Sequence, residues 1–205
     1  RWAAVLEEMG RPPSHSQWIY IADREADFYE PIQRCQRQGI DFVIRACQDR
    51  RLAHRAGHLK EVMAQAPLLG QMTVEVRARP GQSARTANVQ VRALALRLDG
   101  PWRPGGWQPD FAANAVEVRE VDAPPGVELL HWILLTSLPC GRWAQVQRII
   151  GRYTARWWVE EYHKALKSEA GVEQSQLERA DRLEPLIAVL AVVAVRLLST
   201  KMLAR

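Results

Sequence analysis

Cysteine is scarce in this chain: of 205 residues only Cys35, Cys47 and Cys140 carry a thiol. No two of them form a C-x-x-C pair, which excludes a disulfide framework and a zinc knuckle. Long apolar runs are scarce too. The longest, Pro185 to Val195, stops at Arg196 and is shorter than the roughly 20 residues a bilayer span requires. No basic-then-apolar leader opens the chain, no segment repeats, and no tract is compositionally biased. These absences exclude the secreted, membrane-spanning and fibrous classes and point to a reduced, cytoplasmic setting. The chain opens on Arg1 rather than Met and stops within a helical pattern, which reads as a piece of a longer protein.

What is present suits a folded domain. Hydrophobic residues make up 47% and charged residues 25%, enough to fill a core and keep the surface wet. The formal charge is modest, 28 − 23 = +5, but unevenly spread. Residues 45–103 hold 11 Lys or Arg against 4 acids, 11 − 4 = +7, which leaves −2 for the rest. Such a stretch suits a polyanion such as nucleic acid; it also describes a solvated, Arg-rich sheet face.

Periodicity divides the chain into three regions. In residues 1–47, Trp2 to Met9 reads as a helix end closed by Gly10 and Pro12-Pro13. Trp18 to Ala22 and Ile40 to Ala46 are short continuous apolar runs, the pattern of strands buried on both faces. Between them Arg24 to Arg37 is helical, with Phe28, Ile32 and Cys35 on one side and Gly39 as the stop. Strand, helix, strand with short joints predicts a βαβ unit in a mostly parallel sheet. In residues 48–130, Val74 and Val76, Val89 and Val91, and Val116 and Val118 alternate with polar residues. Gly81, Gly100 and Gly105-Gly106 punctuate them, so this region predicts antiparallel strands with one wet face, a β-strand insertion subdomain. Residues 131–205 return to α/β: a buried strand over 131–136, helices over 143–153 and 154–167, and a long helix over 183–203. In that last helix Leu183, Leu186, Ile187, Leu190, Val193, Ala194 and Leu197 form a wide apolar stripe.

Two places can carry chemistry. Asp23 stands where a buried strand gives way to a helix, beside Arg24, Glu25 and Asp27, and ligands in open α/β sheets bind outside the carboxyl ends of strands. The same position suits a helix N-cap, which Asp favours. The second place is Arg152 to Lys167. At 3.6 residues per turn Tyr153, Arg156, Glu160 and Lys167 share one helical face, with Lys164 adding to it. One acid among cations and a phenol suits a carboxylate holding a divalent metal while Arg, Lys and Tyr grip phosphates. A solvated face laced with pairs such as Glu160–Lys164 fits the same letters.

Other patterns carry less. Glu160-x-x-His163 has di-iron spacing but no second copy. His15, His54, His58 and His131 show no ligand spacing. Ser137 and Cys140 lack a companion His and acid, so nucleophilic catalysis has no support. The eight tryptophans offer stacking platforms for bases, although most tryptophans serve cores.

These residues bring a resemblance into view. Tyr153-x2-Arg156-x3-Glu160-x6-Lys167 matches the Y-R-E-K signature of DDE transposases of the insertion-sequence-four type. Asp23-Arg24-Glu25-Ala26-Asp27 resembles the D-R-E-A-D segment that carries that family's second catalytic Asp. The Thr136-Ser137-x-Pro139 segment and Ala194 to Leu198 are similar as well, and the likeness is weakest over residues 50–125. The resemblance implies an RNase-H-like α/β core, incomplete at its N-terminus and interrupted by an antiparallel β insertion. It implies Mg²⁺, with Mn²⁺ as a substitute, held by Asp23 and Glu160 as catalytic acids. Tyr153, Arg156 and Lys167 would contact the terminal transposon phosphate, supported by Lys164. Trp132 stands where the family places a tryptophan that receives a flipped base, and Arg45 resembles another DNA-contacting position. The implied function is DNA transposition by metal-dependent strand cleavage and transfer at transposon ends. The implied partners are transposon-end DNA and, in the full-length protein, a second copy, in a bacterial cytoplasm at the nucleoid.

One departure stands out. The family's first catalytic Asp lies upstream of D-R-E-A-D, and residues 1–22 hold only Glu7 and Glu8 as acids. The expectation is therefore a fragment lacking that Asp and inactive alone. The alternative from another class is a non-catalytic DNA-binding or oligomerising remnant.

Overall fold

The computed structural model describes residues 2–78 and 82–203; Gly81, expected in a turn, lies outside them. The chain divides into two compact units, Arg1–Tyr153 and Thr154–Arg205.

In the first unit the two continuous apolar runs become β1 (Ile19–Ala22) and β2 (Asp41–Arg45), paired in parallel and joined by α2 (Tyr29–Gln38). Gly39 ends α2 with φ +71°, a conformation that costs glycine little. The rest of the sheet is antiparallel, in the order β1-β2-β8-β7-β4-β3. Its other members are β3 (Leu68–Val76), β4 (Arg85–Leu98), β7 (Phe111–Glu120) and β8 (His131–Thr136); a small hairpin, β5 (Trp102–Arg103) and β6 (Gly106–Trp107), stands apart. The expected mostly parallel sheet is thus corrected. Among the described strands only β1 and β2, joined by α2, make a parallel pair; β3 runs in the direction of β2 but at the far edge of the sheet, and the connections from β3 to β4, β4 to β7 and β7 to β8 each reverse direction. The segment between β2 and β8 adds its strands to this same sheet, beyond β8.

Strand parity sorts the core into two layers. Phe42, Ile44, Ala113, Ala115 and Leu135 face one side, with Leu6 of α1 (Trp2–Met9), Ile32 and Cys35 of α2, and Leu59 and Met63 of α3 (Leu59–Gln65). Val43, Val89, Val91, Val116, Val118 and Leu134 face the other, with Val146, Ile149 and Ile150 of α4 (Trp143–Ala155). Burial on both faces explains the unbroken apolar runs of β2 and β8. It also corrects the wet face expected for β7, where Ala113 and Ala115 are buried as well. The predicted helix from Arg24 breaks in two: a single 3-10 turn, Arg24–Ala26, precedes α2. Phe28, placed on the apolar side by periodicity, falls in the break and is exposed. No periodic signal announced α3, which is only seven residues long.

α4 is keyed to the sheet at both ends. A Cβ on Gly70 of β3 would lie 2.8 Å from the Trp143 ring, so only glycine leaves room there. At the other end Tyr153 meets Trp132 edge-on, with ring centroids 5.1 Å apart.

The second unit holds α5 (Trp158–Lys164), a π-helical turn (Ala165–Glu169), a 3-10 turn (Val172–Gln174) and α6 (Ala180–Leu203). Ala165, Ala194 and Leu198 form its small core, with Trp158, Tyr162 and Leu166 packed on it. The stripe expected on α6 is narrower than the letters suggest: Ile187 and Val193 are exposed. The Pro185–Val195 run, read as too short for a membrane, belongs to a helix of 24 residues with a window of mean hydropathy 2.1. By length and composition alone α6 is long enough to cross one.

Two carboxylates are buried on β7. Glu120 accepts from both guanidinium nitrogens of Arg85, Nη2 at 2.7 Å, and from the Leu130 amide at 2.8 Å. Glu117 accepts from His131 Nε2 at 2.9 Å and lies 3.4 Å from Arg92 Nη1. The Arg85 and His131 hydrogen bonds respectively hold both acids below the ordinary 4.5. A depressed native value gives stability that is present above the unfolded value and lost as pH falls through the native one. Glu120→Gln is therefore expected to cost about 3 kcal/mol near neutral pH, the lower end for breaking a buried pair. It should also flatten the loss of stability between about pH 5 and pH 3, as read from urea midpoints; a parallel acid loss in both proteins would contradict this.

Candidate functional site

β1 delivers Asp23 at its carboxyl end. The backbone there is extended (φ −86°, ψ −165°), and the side chain caps the 3-10 turn by accepting from the Glu25 amide at 3.0 Å. The cap role is thus real, and it leaves the carboxylate half-exposed at the strand end. Three residues before Asp23, Tyr20 has its phenol pushed up to about 12, chiefly by burial and further by the charges of Cys35 and Asp23. Among the described residues its hydroxyl has no hydrogen-bond partner.

Arg45 ends β2 and donates to the His131 carbonyl at 3.2 Å, beside Trp132 on β8. Trp132 in turn touches Tyr153, whose ring is buried. So in the first unit Trp132 and Tyr153 are in contact, and Arg45 is bonded to the residue that precedes Trp132. In the second unit Arg156 Nη2 pairs with Glu160 Oε1 at 3.1 Å, and Lys167 Nζ lies 3.4 Å from Glu173. Lys164 and Lys167 are exposed. The pairing expected between Glu160 and Lys164 is replaced by the one to Arg156.

The single helical face expected for Tyr153, Arg156, Glu160 and Lys167 needs correction. α4 ends at Ala155, and Arg156 and Trp157 form a turn with i→i+3 bonds: Trp157 N to Thr154 O and Glu160 N to Trp157 O, at 3.3 and 3.0 Å. Lys167 lies in the π-helical turn, where Ala170 N reaches Ala165 O at 2.7 Å. Tight and wide turns rotate side chains by more and by less than 100° per residue, so the uniform 3.6 period does not apply across the motif. The Arg156–Glu160 step survives because it spans one turn.

Carboxylate oxygens suit a hard divalent cation; Asp23 supplies them in the first unit and Glu160 in the second. Among the described residues no three His, Cys, Asp or Glu side chains gather into a metal-holding group. Each acid by itself therefore suits the role of a single oxygen ligand.

Sequence reasoning missed several working side chains. His54 and His131, read as incidental, partner Asp110 and Glu117 at 2.8 and 2.9 Å. Ser137 donates to Asp41 at 2.7 Å, a stitch rather than a nucleophile, and burial pushes the Cys140 thiol up. The basic stretch is largely answered: Arg50, Arg51, Arg85, Arg92, Arg97 and Arg103 pair with Asp27, Asp99, Glu120, Glu117, Asp110 and Glu30. Five of those six acids lie outside residues 45–103, where composition could not reveal them.

Residues 3–196 match the family model described as the transposase DDE domain. The chain belongs to that family. Membership implies an RNase-H-like α/β fold, in keeping with the mixed six-stranded sheet. It also makes the chain a DDE transposase, with polynucleotidyl transfer on transposon-end DNA as the class of chemistry.

For this transposase the burial of Tyr153 separates two roles. Tyr153→Ala is expected to cost about 3–5 kcal/mol by emptying an aromatic site. Tyr153→Phe keeps the ring and should cost less, about 0.5–1.5 kcal/mol for whatever the hydroxyl contributes. Equal losses in chemical denaturation would show that the ring does not serve packing.

Proposed function

We propose that this chain is a DDE transposase of the insertion-sequence-four type, similar to the transposon-five transposase. On this reading Asp23 and Glu160 are catalytic carboxylates and ligands for Mg²⁺, with Mn²⁺ as a substitute, and residues 48–130 are an insertion in the catalytic core. The observation that carries it is that the family match over residues 3–196 encloses both D-R-E-A-D at Asp23 and the Y-R-E-K spacing from Tyr153 to Lys167, in the family's order. The strand-end position of Asp23 and the Arg156–Glu160 pair support it.

Divalent ions, when bound, would activate the attacking hydroxyl and stabilise the leaving oxygen. The chain's own residues supply the rest. Arg156, Lys164 and Lys167 would hold the terminal phosphate by charge-assisted hydrogen bonds, and Arg156, now paired with Glu160, would turn to phosphate as it arrives. Trp132 would offer its ring face to an unstacked base, held by Tyr153 behind it. Arg45 would contact the backbone. With two acids assigned, the chain binds DNA ends without efficient cleavage, and two copies act together.

The test pairs binding with cutting. Anisotropy of a labelled transposon-end duplex across a salt series should show Arg156→Ala and Lys167→Ala each lowering the slope of log affinity against log salt by about 1. Asp23→Ala should leave binding within about twofold, since it removes no phosphate contact. Variants that match the parent at every salt would overturn the clamp. Mg²⁺-dependent nicking of supercoiled DNA by the chain, abolished by Glu160→Ala, would overturn the inactivity and keep the acids.

A further inference from the structure

D-R-E-A-D contains three acids, and the structure separates their fates. Asp27 is fully buried, with no solvent-exposed surface. Its Oδ2 accepts from the amides of Cys47 and Gln48 at 2.7 and 3.0 Å. Its Oδ1 lies 2.6 Å from Arg50 Nη1, in an oblique ion pair, and the Arg50 side chain is only 9% exposed. Its main-chain carbonyl accepts from Gln48 Nε2 and Arg50 Nη2 at 2.9 and 3.0 Å. Cys47 Sγ reaches back to the Arg24 carbonyl at 3.4 Å. Five contacts from one four-residue segment thus close on a single aspartate.

The location gives these contacts a purpose. β1 and β2 are adjacent parallel strands whose last residues are Ala22 and Arg45. The loops leaving them, 23–28 and 46–50, would otherwise be independent surface segments, and loops are the mobile part of most folds. Asp27 fastens one to the other in a low-dielectric setting, where a charge-assisted bond is strong and its loss leaves Arg50 buried and uncompensated. Asp23 sits one tight turn upstream: Ala26 N bonds to Asp23 O and Asp27 N to Arg24 O, both at 3.3 Å. Fixing Asp27 therefore fixes the stem from which the Asp23 carboxylate projects. Asp27 itself cannot reach an ion in solvent, since it is sealed and its oxygens are engaged.

We propose that Asp27 is a positioning residue that, with Arg50, sets the placement of the Asp23 carboxylate for metal binding. This rests on reading Asp23 as a metal ligand. Groups that orient a ligand without touching the ion typically change metal affinity about 10–100-fold when removed.

The test uses the whole chain and Mn²⁺ alone, with free ion read by electron paramagnetic resonance and folding by near-ultraviolet circular dichroism. Asp23→Ala should weaken Mn²⁺ binding. Asp27→Asn, isosteric but neutral, should keep the folded spectrum yet weaken Mn²⁺ binding about tenfold or more, and speed exchange of the Ala26 and Asp27 amides. Glu8→Gln, an exposed acid on α1, should match the parent. If Asp23→Ala leaves the affinity unchanged, the metal reading of Asp23 falls and the positioning role falls with it. If Asp23→Ala weakens binding while folded Asp27→Asn does not, only the positioning role is overturned. Should Asp27→Asn not fold, Arg50→Lys decides: it keeps the charge but loses the fork that bridges carboxylate and carbonyl. A tenfold weakening in that variant supports the proposal, and parental affinity overturns it.

Discussion

The first unit depends on one strand pair that is dry on both sides. β2 and β8 lie at adjacent places inside the sheet, and Phe42, Val43, Ile44, Leu134 and Leu135 are all wholly buried. Such a pair cannot slip register without turning an apolar layer inside out, since a shift of one residue exchanges the two faces. Side chains reinforce the alignment where the ladder ends. Thr136 Oγ1 donates to the Phe42 carbonyl at 2.6 Å and accepts from the Leu138 amide at 3.0 Å. Ser137 Oγ accepts from the Phe42 amide at 3.0 Å. Everything assigned to function in this unit takes its place from that pair: Asp23 from β1 beside it, Arg45 from its end, Trp132 from within it.

Charge does a different job from the one composition suggests. Most arginines of the basic stretch are spent on internal acids, and the deepest of these pairs, Asp27–Arg50, Glu120–Arg85 and Glu117–Arg92, tie loops and strands together. Buried pairs are costly to break from one side and give modest net stability when intact. Their value here is in fixing geometry. The DNA binding proposed above would then draw on exposed cations such as Lys164 and Lys167 more than on the bulk excess.

Much of this was legible in the letters. The 131–136 strand, the two strands flanking α2 and the Gly39 stop follow from unbroken apolar runs and one glycine, because those signals are local. The antiparallel character of the strands in 48–130 was legible from their alternation, but that they join the same sheet and that β8 runs antiparallel to β2 was not, since both depend on how the chain returns. Nor was the break before α2: Asp27 leaves helical geometry to reach Arg50, 23 residues away, and no periodicity encodes such a partner. The spacing from Tyr153 to Lys167 was legible in the letters, yet a uniform helical wheel misplaced its members, because a tight turn and a π turn lie inside it. Composition likewise hid the ion pairs, whose acids sit far along the chain from their arginines.

The two keyed ends of α4 amount to a measuring rod laid across the strands. Gly70, Val91, Val118 and Trp132 are successive partners in one register row. That row crosses three interstrand gaps, about 14 Å in all. From Trp143, seated over Gly70, to Tyr153, seated against Trp132, ten helical residues rise about 15 Å. Helix length and sheet width are therefore commensurate. A single residue gained or lost within that span would swing the phenol by about 100° from the indole, so indels between 143 and 153 are barred.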